Sequence, residues 1–245
     1  MLPQIKGYIE NSLLDWPGKI CAIIFLPGCN FRCPFCHAAH LVVRPNELES
    51  IPFESIETFL NERRGWIDGV IVSGGEPTIW ADLPVLVEAL RKLGFPVKLD
   101  TNGSNPEVLE DLVRGGAVQA VSMDVKAPLD ERYVKLAGVP VDLTAIRRSI
   151  DFLLSGSLSD YEFRTTVAPG LLDGDDILDI ARSLRGARAY VLQNFQRVDC
   201  IDRQMMDQKP LDPEVLKEVA ERAAEYVEHC WVRGFEEALP GAKTG

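Results

Sequence analysis

No long hydrophobic run appears in this sequence: the longest, Ile20 to Leu26, falls far short of the roughly 18 residues that suggest a membrane span, and it reads as a buried strand. An excess of positive charge is also missing. With 26 Lys and Arg against 37 Asp and Glu, the net charge of −11 repels phosphate backbones, which argues against non-specific nucleic-acid binding. The opening stretch from Met1 to Gly7 lacks the basic region, apolar core and small-residue cleavage site of a secretory signal, so the expectation is a cytoplasmic protein with reduced thiols. Low-complexity tracts, Pro/Gly/Ser linkers and short repeats are absent too, and one domain over residues 1–245 is expected. What remains is an ordinary globular composition, 46% hydrophobic and 26% charged.

Apolar runs rich in Val, Ile and Phe alternate with amphipathic segments, the pattern of a mostly parallel sheet covered by helices. It predicts strands at 20–26, 69–73, 96–100, 118–124, 161–167 and 189–193. Helices are predicted at 53–64, 83–93, 107–114, 143–154, 175–184 and 213–230, the last being a C-terminal helix within 211–230. Asn105-Pro106 and Asp212-Pro213 look like caps followed by proline in the first turn, while Gly94, Gly115-Gly116 and Gly186 stand where helices should stop. Six such units, with a core over about 18–195, are fewer than the eight of a closed barrel. The sheet is therefore an open barrel or doubly wound, and either architecture places chemistry at the C-terminal ends of its strands.

Six cysteines in a reducing compartment do not make a disulfide framework, and three of them crowd one loop directly after the first of these strands. Cys29, Cys33 and Cys36 follow the spacing C-x3-C-x2-C, and thiolates this dense suit zinc, copper(I) or iron–sulfur centres. Structural zinc would need a fourth ligand from His37, His40, Cys200 or Cys230. Cys33 to His37 also fits C-x-x-C-H, the attachment signature of c-type haem, although that reading leaves Cys29 idle and attachment normally occurs outside the cytosol. A 4Fe–4S cluster on three cysteines would keep one iron open for chemistry.

Further motifs fall at strand ends. Gly74-Gly75-Glu76-Pro77 closes the second strand, and paired glycines alone are most often a simple turn. Asp100-Thr101-Asn102-Gly103 closes the third and Asp124-Val125-Lys126 the fourth; both could be local turns or solvated charges. Arg164, on the fifth strand, is an unusual charge for a buried position and calls for an ion pair or an anion. Cys21 reads as packing, and Cys200 and Cys230 as structural.

The cysteine loop resembles that of the radical S-adenosylmethionine enzymes, whose C-x3-C-x2-C motif follows the first strand of a partial (β/α)6 barrel. The resemblance implies a 4Fe–4S cluster on Cys29, Cys33 and Cys36, with Phe35 beside the adenine of S-adenosylmethionine. It likewise implies that Gly74, Gly75, Glu76 and Pro77 meet the methionine part, and that Asn102, Asp124 and Arg164 join the cofactor site. In activating enzymes of glycyl radical proteins, D-T-N-G and D-x-K recur at these strand ends. They imply hard oxygen ligands from Asp100, Thr101 and Asp124 for a monovalent cation, with Lys126 on the substrate side. The segments 7–19 and 26–37 resemble the activators of anaerobic ribonucleoside-triphosphate reductase, a resemblance that covers about residues 7–195. Pyruvate formate-lyase activators share the same motifs. The implied partners are a large glycyl radical protein and a flavodoxin or ferredoxin-type reductant; beyond the resemblance, the polar loop 199–209 after the last strand is a candidate partner contact. Two other readings stay open: a small-molecule enzyme of the same class, such as 7-carboxy-7-deazaguanine synthase, and an iron–sulfur electron carrier with four protein ligands.

Overall fold

Short β-branched runs form the strands of the computed structural model, which describes residues 2–234. They are β1 Gly7–Ser12, β2 Cys21–Leu26, β3 Gly69–Gly74, β4 Val97–Thr101, β5 Ala120–Asp124, β6 Tyr161–Val167, β7 Tyr190–Asn194 and β8 Cys230–Arg233. Together they make one sheet in the order β1 to β8, antiparallel between β1 and β2 and parallel from β2 onward. A doubly wound sheet would reverse its strand order at a switch point. This one never reverses, and no pairing closes β8 onto β1 among the described residues, so the sheet is an open barrel.

The helices are α1 Ala39–Val43, α2 Phe53–Glu62, α3 Leu83–Lys92, α4 Pro106–Arg114, α5 Glu131–Ala137, α6 Leu143–Leu154, α7 Gly174–Ser183 and α8 Pro213–Ala223. Strand side chains alternate between the two faces. On β2, Ala22, Ile24 and Leu26 join the large core that also buries Leu86, Leu90, Ile146 and Ile150 of the covering helices. The alternate residues Cys21 and Ile23, with Phe25 beside them, form a separate cluster on the inner face with Ile71, Ala120 and Trp16.

Trp16, in the β1–β2 connection, is 2% exposed and stoppers the end of the barrel where the strands begin. Its indole Nε1 donates to Asp160 at 2.9 Å, and Gly69 lies so close that a Cβ there would stand 2.8 Å from the ring. Above it a buried polar layer follows. Glu162 accepts from Ser122 at 2.7 Å and from both terminal nitrogens of Arg233 at 3.1 and 3.2 Å, with Lys98 Nζ 3.6 Å away. Asp160→Ala keeps the packed indole and removes only the acceptor of its hydrogen bond, and because Asp160 is exposed the expected cost is about 1 kcal/mol in denaturant unfolding. An unchanged midpoint would show that the bond adds nothing.

The predicted strands and all the predicted helices but the last are found within a few residues, and four elements were not foreseen: β1, β8, α1 and α5. The helix predicted at 213–230 is corrected. It ends at Ala223 because the backbone beyond it is taken by the α7–β7 connection: Gly186 N donates to Tyr226 O, Glu228 N to Ala187 O and Tyr190 N to His229 O. Cys230 to Arg233 then pair with Tyr190 to Gln193 as an added parallel strand. Asn105 also departs from expectation, since its side chain caps nothing and instead donates to Thr78 Oγ1 at 2.9 Å. Asp212 does cap α8. Among the described residues no helix is long and apolar enough to cross a membrane.

Candidate active site

The loop after β2 is held from several sides. Gly28 N donates to Leu41 O, Arg32 N to Ala137 O, Asp202 N to Pro34 O, and Trp80 Nε1 to Pro27 O, so α1, the end of α5, the 199–207 segment and the turn after β3 all grip it. The β3 end comes closest. Gly75 N donates to Leu26 O at 2.9 Å and Glu76 N to Gly28 O at 2.8 Å.

Glu76 ties this turn to the next one. It is 1% exposed, and its carboxylate accepts from Thr78 N, Thr78 Oγ1 and Thr101 Oγ1 on one oxygen and from Asn102 N at 2.6 Å on the other. Burial pushes its carboxyl above the usual range while the donors oppose that. The side chain therefore acts as a brace between the β3 and β4 ends.

Cys29, Cys33 and Cys36 line one cavity at the C-terminal ends of the strands, together with Phe35, Gly74, Gly75, Glu76, Asp100, Thr101, Asn102, Asp124, Lys126 and Arg164. Pro77 is the one sequence-derived candidate that does not line it; it opens the turn beneath. The structure adds Phe31, His37, Ser73 and Thr166 to the wall. His37 packs on Phe195 with ring centroids 5.6 Å apart, and its Nε2 is buried without a partner among the described residues. A C-x-x-C-H reading singles out His37, whereas nothing in the strand pattern marks Ser73 or Thr166.

The charges interlock. Arg164 Nε donates to Asp124 Oδ1 at 2.9 Å and its Nη1 to Asp100 Oδ2 at 3.2 Å; Lys126 Nζ donates to Asp124 Oδ2 at 2.9 Å, and Ser73 Oγ to Asp100 Oδ2 at 3.1 Å. Burial alone would raise the Asp124 carboxyl, but Arg164 and Lys126 outweigh it and hold it below its ordinary value. Of the three residues implied as cation ligands, only Asp100 keeps a buried oxygen without a partner among the described residues, since Thr101 Oγ1 is spent on Glu76 and Gly103 N.

All six cysteines are free. Cys21 and Cys230 begin β2 and β8, at the opposite ends of their strands from the cavity, and Cys200 is buried outside it. Among the described residues no three His, Cys, Asp or Glu side chains are already grouped as a metal ion would need them, while the three thiols share one cavity wall. A polynuclear cluster takes each thiolate at a different iron and suits a donor set spread around one cavity. Burial pushes the Cys29 thiol up to about 11 and Cys33 up to about 12, and raises Cys36 too. The metal-free thiols are thus protonated at neutrality, and metal must displace those protons. Anaerobic uptake of iron and sulfide is expected to be more complete above neutrality than below it; uptake that does not vary with pH would contradict this protonation state.

The family model described as the Radical SAM superfamily matches residues 23–184. A protein of Methanocaldococcus jannaschii, provisionally named a glycyl-radical enzyme activating enzyme, is 32% identical over 240 residues, spanning 95% of this chain and 97% of its own length. A 7-carboxy-7-deazaguanine synthase of Aquifex aeolicus is 31% identical over 106 residues, 41% of this chain and 42% of that one. Among solved structures, Streptococcus suis SuiB bound to its precursor peptide SuiA superposes with a TM-score of 0.66 at 16% identity, covering 87% of this chain and 48% of that one. At that identity the likeness concerns the fold alone.

Proposed function

The chain belongs to the Radical SAM superfamily, and from that premise we propose that it is the activating enzyme of a glycyl radical protein, the large subunit of an anaerobic ribonucleoside-triphosphate reductase. The observation that carries the activating-enzyme reading is the near full-length likeness to the Methanocaldococcus jannaschii protein; the choice of reductase rests on the resemblance of segments 7–19 and 26–37. When bound, a 4Fe–4S cluster with S-adenosylmethionine at its open iron supplies the reductive cleavage to a 5′-deoxyadenosyl radical that takes hydrogen from the partner's glycine.

Cys29, Cys33 and Cys36 would hold the cluster, and no fourth cysteine lines the cavity to close its open position. Phe35, 3% exposed, offers an apolar surface for the adenine. The free Asp100 oxygen is the acceptor that a bound ammonium group or a monovalent cation requires. Lys126 and Arg164, already held by Asp124, are fixed cations for a carboxylate or a ribose, and their pairing spares the ligand the cost of ordering them. Lys126 stands on the substrate side. A flavodoxin or ferredoxin-type protein is the reductant proposed.

The test is anaerobic electron paramagnetic resonance on reconstituted protein with reductant, S-adenosylmethionine and the reductase large subunit from the same source. A glycyl radical doublet is expected. Without the doublet, but with a cluster signal that responds to S-adenosylmethionine, the partner is wrong and another glycyl radical enzyme or a small molecule is the substrate, as the partial likeness to the deazaguanine synthase would then favour. A cluster signal indifferent to S-adenosylmethionine would favour an electron carrier.

A further inference from the structure

Asn102 directly follows β4 in the cavity wall and is 5% exposed. Its orientation is fixed at three points. The backbone N–H donates to Glu76 Oε2 at 2.6 Å, and the side-chain Oδ1 accepts from Ser104 N at 2.9 Å, closing a tight turn. Because the oxygen is committed to Ser104, the amide nitrogen must point the other way. There it donates to Asn30 Oδ1 at 2.9 Å and reaches Cys29 Sγ at 3.9 Å. Asn30 is itself steadied by donating to Ser104 Oγ at 2.8 Å. The Cys29 sulfur also receives Phe31 N–H at 3.3 Å.

Two N–H groups thus converge on one of the three sulfurs, and one of them comes from a side chain that can be replaced. Hydrogen bonds to ligating sulfur stabilise the more negative state of an iron–sulfur centre and so raise its reduction potential. We propose that Asn102 is a positioning residue that acts through the Cys29 sulfur, raising the reduction potential of the cluster held by Cys29, Cys33 and Cys36. The inference rests on the cluster reading above. It gives the D-T-N-G turn a task on this chain beyond contact with the bound cofactor: the strand end next to the cysteine loop tunes how readily the centre accepts its electron.

The experiment is anaerobic potentiometry read by electron paramagnetic resonance on the reconstituted full chain, comparing wild type with Asn102→Ala, Asn102→Ser and Asn30→Ala. Serine can still accept from Ser104 N–H and adds no charge, but is too short to reach the sulfur, so it preserves the turn should alanine fail to fold. Both Asn102 variants are expected to weaken the reduction equilibrium about tenfold, a shift of about 59 mV toward more negative potential for one electron. Asn30→Ala removes the neighbouring clamp, together with the Asn30 Oδ1 that the Cys29 sulfur meets at 3.9 Å, while leaving the donor to Cys29, and should not move the potential toward more negative values. Unchanged potentials in the Asn102 variants overturn the proposal, as does an equal shift in Asn30→Ala, which would make Asn102 a mere brace of the loop. A wild-type chain that assembles no cluster would overturn the cluster reading itself and the proposal with it.

Discussion

Replacing Cys33 by alanine is expected to abolish cluster assembly and all cleavage of S-adenosylmethionine while leaving the barrel folded. Cys33 is 6% exposed and lies among the core residues, so removing its sulfur costs about 1 kcal/mol of packing, close to the value of one buried methylene. Against that small loss of stability stands the whole of the chemistry, because only Cys29, Cys33 and Cys36 bring thiols to the cavity. Two ligands cannot hold a cluster that three must share. The checks are iron and sulfide per chain, the resonance signal of the reduced centre, and formation of 5′-deoxyadenosine. Cys21→Ala and Cys230→Ala serve as controls, since both residues begin their strands at the far end of the barrel. Retention of a responsive cluster in Cys33→Ala would remove the basis of the site. Loss of the cluster in Cys200→Ala or Cys230→Ala would point instead to a centre with four protein ligands and to an electron carrier.

The site was more legible in the sequence than the ends of the fold, for a physical reason. Cysteine spacing and strand-end carboxylates are local signals, and a parallel sheet of sequential strands carries such ends to one rim regardless of the details between them. Thirteen of the fourteen candidate residues line a single cavity on that account. β8 failed to announce itself because Cys230 to Arg233 follow a helical pattern directly and become a strand only by pairing with Tyr190 to Gln193. β1 was hidden differently. It is an edge strand with four exposed positions in a row, and it lacks the apolar alternation that marks a half-buried strand. The inner face was not legible at all: Lys98, Glu162 and Arg233 sit far apart in sequence, and nothing local shows that they share one buried layer. Arg164 was readable as a charge that needs a partner, but not as one that bridges two acids from two neighbouring strands.

Gly75→Ala is expected to be as damaging as loss of a cysteine, and by a different route. The paired glycines at the β3 end invite the reading that a ligand approaches the backbone there, and the closest approach in the structure is that of the cysteine loop itself. A Cβ on Gly75 would stand 1.9 Å from the Gly28 carbonyl oxygen and 3.2 Å from Cys29 Cβ; one on Gly74, whose φ is 132°, would stand 2.1 Å from the Leu26 oxygen. Both obstructing oxygens accept hydrogen bonds from this same turn. The loop cannot retreat without breaking them, and backbone obstructing backbone has no rotamer escape. The expected cost is on the order of 4 kcal/mol, at the upper end of single-residue effects. Displacement of Gly28 carries Cys29 with it, so iron binding should fall together with the melting temperature, whereas Cys33→Ala loses iron with little change in melting. Compared on the metal-free chains, where stabilisation by a bound cluster does not enter, that contrast separates removal of a ligand from displacement of the loop that presents it. A Gly75→Ala chain with the wild-type melting temperature and full iron content would show that the β3 end and the cysteine loop are not locked together, and the role of the glycines would then lie with the ligand alone.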